Sequence, residues 1–97
     1  MNGQKIGEAV ERIKQMEVCF DVLRKAAEKS PEEACKSAWF NGLLQILTAY
    51  YEGGEWLRDY ELDEAGLIPK EVKRGVLSQD GVYNFLQEIS ETVAKLK

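Results

Sequence analysis

"KSPEEAC", residues 29–35, decides how this chain folds. Proline cannot continue a helix that arrives from its N-terminal side, because it lacks the amide hydrogen and its ring clashes with the preceding turn. The same proline fits the first position of a new helix. Ser30 can cap that helix, and Glu33, three residues on, completes a capping box. The segment therefore predicts one helix ending and another beginning with almost no loop between them. A connection this short makes the two helices antiparallel neighbours.

Upstream, residues 5–29 read as one long helix. Ile6, Ala9, Ile13, Met16, Phe20, Leu23 and Ala27 recur at spacings of three and four. Val10, Cys19 and Ala26 widen that stripe, which argues for a bundle helix rather than a narrow coiled-coil seam. Glu8 with Arg12, and Asp21 with Lys25, are acid-then-base pairs four apart, each worth about 0.3 kcal/mol. Downstream, the second helix is expected over about 31–51. Trp39, Leu43, Ile46 and Tyr50 make one stripe, with Phe40, Leu44, Leu47 and Tyr51 beside it. A helix apolar around so much of its circumference is expected to be the most buried one. Gly53 is expected to end it in left-handed geometry.

A third helix is predicted over roughly 54–65, with Trp56 and Tyr60 on one face and Gly66 as its stop. About one helical turn follows from Pro69 to Gly75. A last helix covers about 79–97, with Val82, Leu86, Ile89, Val93 and Leu96 inward and Phe85 flanking them. In "KRGVLSQD", residues 73–80, Gly75 suits a left-handed helix end with Val76 packing back on it. Ser78 suits an N-cap, Leu77 and Val82 a hydrophobic staple, and Asp80 the first turn, where the helix dipole favours an acid. Arg74 alone has no local duty. No segment alternates with period two for long enough to form a strand. The fold class expected is all-α: an antiparallel helical hairpin plus a C-terminal helix, a three-helix bundle with a short connecting helix, in a single domain over residues 1–97.

Composition narrows the function. Formal net charge is −4 and pI about 4.9. An acidic chain is a poor match for nucleic acid, where lysine and arginine must displace phosphate counterions. No apolar run approaches the ~20 residues of a membrane span, and the N-terminus lacks the apolar segment of a signal peptide. Cys19 and Cys35 lie in apolar helical surroundings and read as reduced core thiols of a cytoplasmic protein. Histidine is absent, which removes the usual general base and the commonest metal ligand. The two cysteines are sixteen residues apart, with no CxxC pattern and no nearby base, which favours a packing role over a thiol nucleophile or a zinc site. No cofactor motif is present.

The most informative polar segment is residues 52–64, where Glu52, Glu55, Asp59, Glu61, Asp63 and Glu64 face Arg58 alone. Glu55, Asp59 and Asp63 are successive i, i+4 neighbours, so a helix stacks them into one carboxylate ridge. Like charges at that spacing oppose the helix by a few tenths of a kcal/mol per pair. Three compensators fit: internal pairing with Lys70, Lys73 or Arg74, a divalent cation, or a basic patch on a partner. Internal pairing is favoured, with Arg74 bridging to Asp59 or Asp63. The metal ranks last because neither the twelve-residue calcium loop nor a di-iron glutamate–histidine motif is present. Tyr50, Tyr51, Trp56 and Tyr60 crowd the Gly-Gly turn, either as core or as an apolar groove.

The run "AYYEGGEWLRDYELDEAGLIPKEVKRGVLSQDGVYNFLQE", residues 49–88, resembles a bacterial family of small proteins known as domain of unknown function 4298. The resemblance rests on Tyr50, Tyr51, Trp56, Asp59, Asp63, Arg74, Gly75, Val76, Leu77, Ser78 and Asp80 in that order, with Gln79 in place of the family's glutamate. It implies a cytoplasmic helical domain and supplies no catalytic residues. The reading from sequence is a non-enzymatic interaction module that binds a protein partner or itself, with no nucleic acid and no membrane. The alternative is a small-ligand or metal-binding protein or enzyme using Asp59, Asp63 and Arg74. Candidate binding residues are Trp56, Asp59, Tyr60, Asp63, Arg74 and Asp80; no catalytic or metal-binding residue and no cofactor is assigned.

Overall fold

The structure, a computed structural model, describes residues 2–96. It contains α1 (Asn2–Lys29), α2 (Pro31–Lys36), α3 (Ala38–Glu52), α4 (Glu55–Glu64), a 3-10 helix (Gly75–Leu77) and α5 (Gln79–Leu96). No strand occurs among the described residues, so the all-α class holds. Lys97, assigned from sequence to the last helix, lies outside the described residues. The molecule measures 48 × 19 × 17 Å. At 1.5 Å per residue, the 28 residues of α1 span about 42 Å and set the long axis.

At the Ser-Pro junction half of the expected capping box forms; the Ser30 amide donates to the Ala26 carbonyl at 3.2 Å rather than to the Glu33 side chain. Ser30 is extended, its Oγ accepts from the Glu33 amide at 3.4 Å, and Pro31 opens α2. The helix expected over 31–51, however, is two helices. Ser37, with φ −85° and ψ 132°, breaks it. Side chains take over the backbone there. Ser37 Oγ donates to the Glu33 carbonyl at 3.2 Å, and Asn41 Nδ2 donates to the carbonyls of Cys35 at 2.9 Å and Ser37 at 3.0 Å. Serine and asparagine compete with the helix for backbone partners in this way.

Two contacts fix the register of α1 against α3. Cys19 Sγ lies 3.5 Å from the Leu43 carbonyl oxygen. Arg12 and Tyr50 converge on one carboxylate, that of Asp59. In both cases the facing positions add to 62, so the helices run antiparallel with a constant register. Phe20, Leu23 and Ile13 of α1 are buried with Phe40, Leu47 and Tyr50 of α3. Phe85 of α5 meets Phe20 edge-on at 5.6 Å between ring centroids. α5 also packs on α2 and on the 3-10 helix, and Leu77 and Val82, the expected staple pair, are both in the core. Both cysteines are free and buried.

α3 is not buried around its circumference. Trp39 and Ile46 are 54% and 50% exposed, because only the Phe40–Leu47–Tyr50 side faces the core. Three further expectations need correction. Gly54, not Gly53, takes the left-handed conformation, at φ +95°. Gly75 has no positive φ and opens the 3-10 helix rather than ending a turn; the turn upstream closes at Val72, whose amide donates to Pro69. Arg12 turns away from Glu8 to reach Asp59 and Glu55. The Asp21–Lys25 pair does form, at 3.3 Å.

The Schellman geometry expected near Gly75 occurs instead at the end of α4. The Leu67 amide donates to the Leu62 carbonyl, and that of Gly66, at φ +76°, to Asp63. A side chain at Gly66 would be strained by that φ. Gly66→Ala should therefore lower stability by about 1 kcal/mol, read as a shift in denaturant midpoint. Gly7→Ala should have the opposite sign, since Gly7 is an exposed helical residue with open space around it and alanine is the better helix former.

Candidate functional site

The carboxylate ridge of α4 is where the sequence placed its candidate site. Glu55 and Asp59 turn toward α1, and Asp63 faces the connection to the 3-10 helix. Asp59 is fully buried. A buried carboxylate must be paired and hydrogen-bonded to be tolerated, and this one is. Arg12 donates from Nε to Asp59 Oδ2 at 2.9 Å and from Nη2 to Oδ1 at 2.5 Å. Tyr50 Oη adds a third bond to Oδ2 at 2.7 Å. The fork of a guanidinium matches two carboxylate oxygens, which makes such bidentate pairs the strong ones. The bond to Asp59 is the main reason the Arg12 guanidinium holds its proton even more firmly than usual. Glu55 Oε2 stands 3.8 Å from Arg12 Nε, at the outer edge of the same pair.

Arg74 pairs with Asp63, as the sequence suggested, and its other nitrogen donates to the Pro69 carbonyl at 2.7 Å. The ridge is thus neutralised inside the chain by Arg12 and Arg74. Lys70 and Lys73, the other internal candidates, form no ion pair among the described residues. Trp56 is buried, stacks on Tyr60 at 5.1 Å and meets Tyr51 edge-on at 5.1 Å. Its indole Nε1 donates to the Val76 carbonyl at 2.8 Å. The aromatics at the Gly-Gly turn form a closed contact rather than an open groove. Asp80 lies exposed in the first turn of α5 and shares no hydrogen bond or ion pair with the others among the described residues.

The structure therefore brings Asp59 to Arg12 and Tyr50, Asp63 to Arg74, and Trp56 to Tyr60, and leaves Asp80 apart. Among the described residues, no three side chains of His, Cys, Asp or Glu converge to hold a metal ion. Burial also raises the thiols of Cys19 and Cys35 above the usual range, which opposes thiolate chemistry.

Sequence reasoning missed Arg12, Tyr50 and Glu17. Arg12 had a plausible local partner in Glu8, which hid its partner 47 residues away. Glu17 accepts the Val76 amide at 2.8 Å, and a Cβ on Gly75 would stand 3.1 Å from its Oε2, close enough that the carboxylate would have to give by a few tenths of an ångström. The signal for the remaining exposed surface is present in the sequence, where it suggests burial. From Ala38 to Tyr51 α3 carries no charged residue, and Trp39 and Ile46 sit on its outer side.

The Tyr50 phenol is pushed well above its ordinary range, first by burial and second by its hydrogen bond to Asp59. Its folded form therefore ionises at higher pH than its unfolded form, whose pKa is ~10. The resulting stabilisation is intact below pH ~10 and is lost as pH climbs beyond it. In an alkaline titration followed at once by phenolate absorbance and by helical circular dichroism, Tyr50 should ionise only as the helices melt. Tyr50→Phe should remove that coincident component; a Tyr50 that ionises reversibly near pH ~10 with helices intact contradicts the geometry.

None of the described helices is long and apolar enough to cross a membrane. No curated protein and no solved structure matches the chain. A family model described as a domain of unknown function, DUF4298, matches residues 13–97. That span contains the acidic ridge, its partners Tyr50 and Arg74, the Val76 crossing point and the whole of α5, and the chain belongs to this family.

Proposed function

We propose that the chain is a non-enzymatic cytoplasmic interaction module, one domain, that self-associates. The observation that carries this reading is an apolar surface where α1 and α3 meet. Val18 and Val22 are 64% and 40% exposed on α1, and Trp39 and Ile46 are about half exposed on α3. With a register sum of 62, Val22 lies level with residue 40 and Val18 level with residue 44. At about 100° per residue, both valines sit beyond Cys19 on the side of α1 away from the core. Trp39 and Ile46 sit beyond Leu43 in the same sense on α3. Cys19 and Leu43 touch, so the four side chains share one outer face along the α1–α3 seam. Clustered exposed apolar side chains of this kind mark interaction surfaces, and tryptophan is enriched at their centres.

The ridge supports the alternative poorly. Asp59 spends both oxygens on Arg12 and Tyr50, and Asp63 is held by Arg74. A ligand or metal at that place has to break a buried ion pair first, which is costly. The free buried thiols fit a reducing compartment.

Light scattering after size exclusion tests self-association. At low micromolar concentration the native chain should give a multiple of 11.0 kDa. Trp39→Glu with Ile46→Glu should give the monomer, with circular dichroism unchanged. Added salt should favour association, because two copies of net charge −4 repel each other at long range. A clean monomer for the native chain removes the reading, and association that salt abolishes points instead to charge-driven contacts.

A further inference from the structure

The outer stripe of α3 carries more than exposure. It consists of Ala38, Trp39, Gly42, Gln45, Ile46 and Ala49, without a single charge. Gly42 is in the interior of the helix, its φ is not positive, and a Cβ built on it would meet nothing within 4 Å. Within one copy of the chain, then, neither backbone conformation nor crowding calls for glycine. Glycine is nevertheless among the poorest residues for a helix interior. The position makes physical sense if a second backbone comes close to it, as small residues permit where helices cross tightly.

The arrangement about Gly42 identifies what that second backbone is. Trp39 and Ile46 lie almost evenly on either side of the Gly42–Leu43 peptide. A twofold axis running between two such helices at the level of that peptide sets Trp39 of one copy against Ile46 of the other, twice, and sets the two Gly42 residues nearly face to face. Closed two-subunit assemblies use one patch on both copies in this isologous way. The bulky tryptophan is matched by a smaller aliphatic residue, and the glycine admits the close crossing. Charge agrees. An acidic or basic partner gains nothing from an uncharged stripe, whereas two copies of it bring no like charges together. Val18 and Val22 extend the apolar area to either side of the crossing.

We infer that the chain forms a twofold dimer in which α3 packs antiparallel on α3 of a second copy, with the axis at Gly42–Leu43. This rests on the self-association reading and specifies its geometry. The test uses Gly42→Leu, a change that open space accommodates within one copy but that bars a close crossing of two, and Ala49→Leu, exposed on the same stripe but far from the axis. Gly42→Leu should weaken the dimer about tenfold or more in concentration-dependent light scattering, with circular dichroism unchanged, and Ala49→Leu should not. Mixing Trp39→Cys with Ile46→Cys chains under mild oxidation is a second route, expected to give the crossed disulfide in preference to either self-linked product, since apposed thiols react at raised effective concentration. The native Cys19 and Cys35 are buried, and peptide mapping assigns the linkage. If the native chain is dimeric but neither effect appears, this geometry is wrong and self-association stands. If light scattering finds only monomer, both fall.

Discussion

A carboxylate with no access to water is the constraint on which the rest of this structure depends. Asp59 sits where α1, α3 and α4 meet, and each helix supplies one member of the contact: Arg12, Tyr50 and Asp59 itself. Desolvating a charge costs several kcal/mol unless geometry and hydrogen bonding compensate. Here the bidentate fork and the phenol occupy both oxygens. The three helices can approach only in the one register that brings these groups together. Nonspecific apolar packing would tolerate other offsets of α1 against α3; the ion pair does not.

A second crossing point ties the latter half of the chain to this frame. The Val76 peptide is buried, its amide is held by Glu17 of α1, and its carbonyl is held by Trp56 of α4. The connection between α4 and α5 has no regular helix of its own until Gly75, so side chains from elsewhere must satisfy its backbone. Arg74 adds a tether to Asp63 and Pro69 at the rim. Together these contacts aim α5 at α2. What the sequence presented as a candidate binding cluster is largely the means by which the chain closes on itself.

Much of this was legible from local rules. Ser30, Pro31 and Glu33 announce the first reversal because their roles depend on neighbours within four residues. Arg74 finds Asp63 only 11 residues away, and no other local duty competes for it. The rest depended on distance. Arg12 reads as a partner of Glu8 until the fold presents a carboxylate that water cannot reach. The break at Ser37 is hidden by apolar residues that continue on both sides of it, although Ser37 and Asn41 are the residue types that draw backbone bonds away from a helix. The outer stripe of α3 reads as core from sequence because periodicity gives the faces of a helix and not which of them a neighbour covers. Trp39 and Ile46 are where that distinction falls, and they carry the proposed interaction.

On the proposed reading, fold and function use different faces: the acidic ridge is taken up by internal pairing, while the uncharged outer stripe of α3 stays exposed. Asp59 and Arg12 should behave as one coupled unit within the core. A double-mutant cycle with Arg12→Met, Asp59→Leu and the combined variant, read by denaturant unfolding, measures that coupling. Arg12→Met should cost about 3 kcal/mol by stranding the fully buried Asp59. Asp59→Leu should cost less, because Arg12 is partly exposed and keeps Glu55 beside it. The combined change should cost well under their sum, giving a coupling of about 2 kcal/mol or more. Single costs that simply add, with coupling under about 0.5 kcal/mol, would contradict the account.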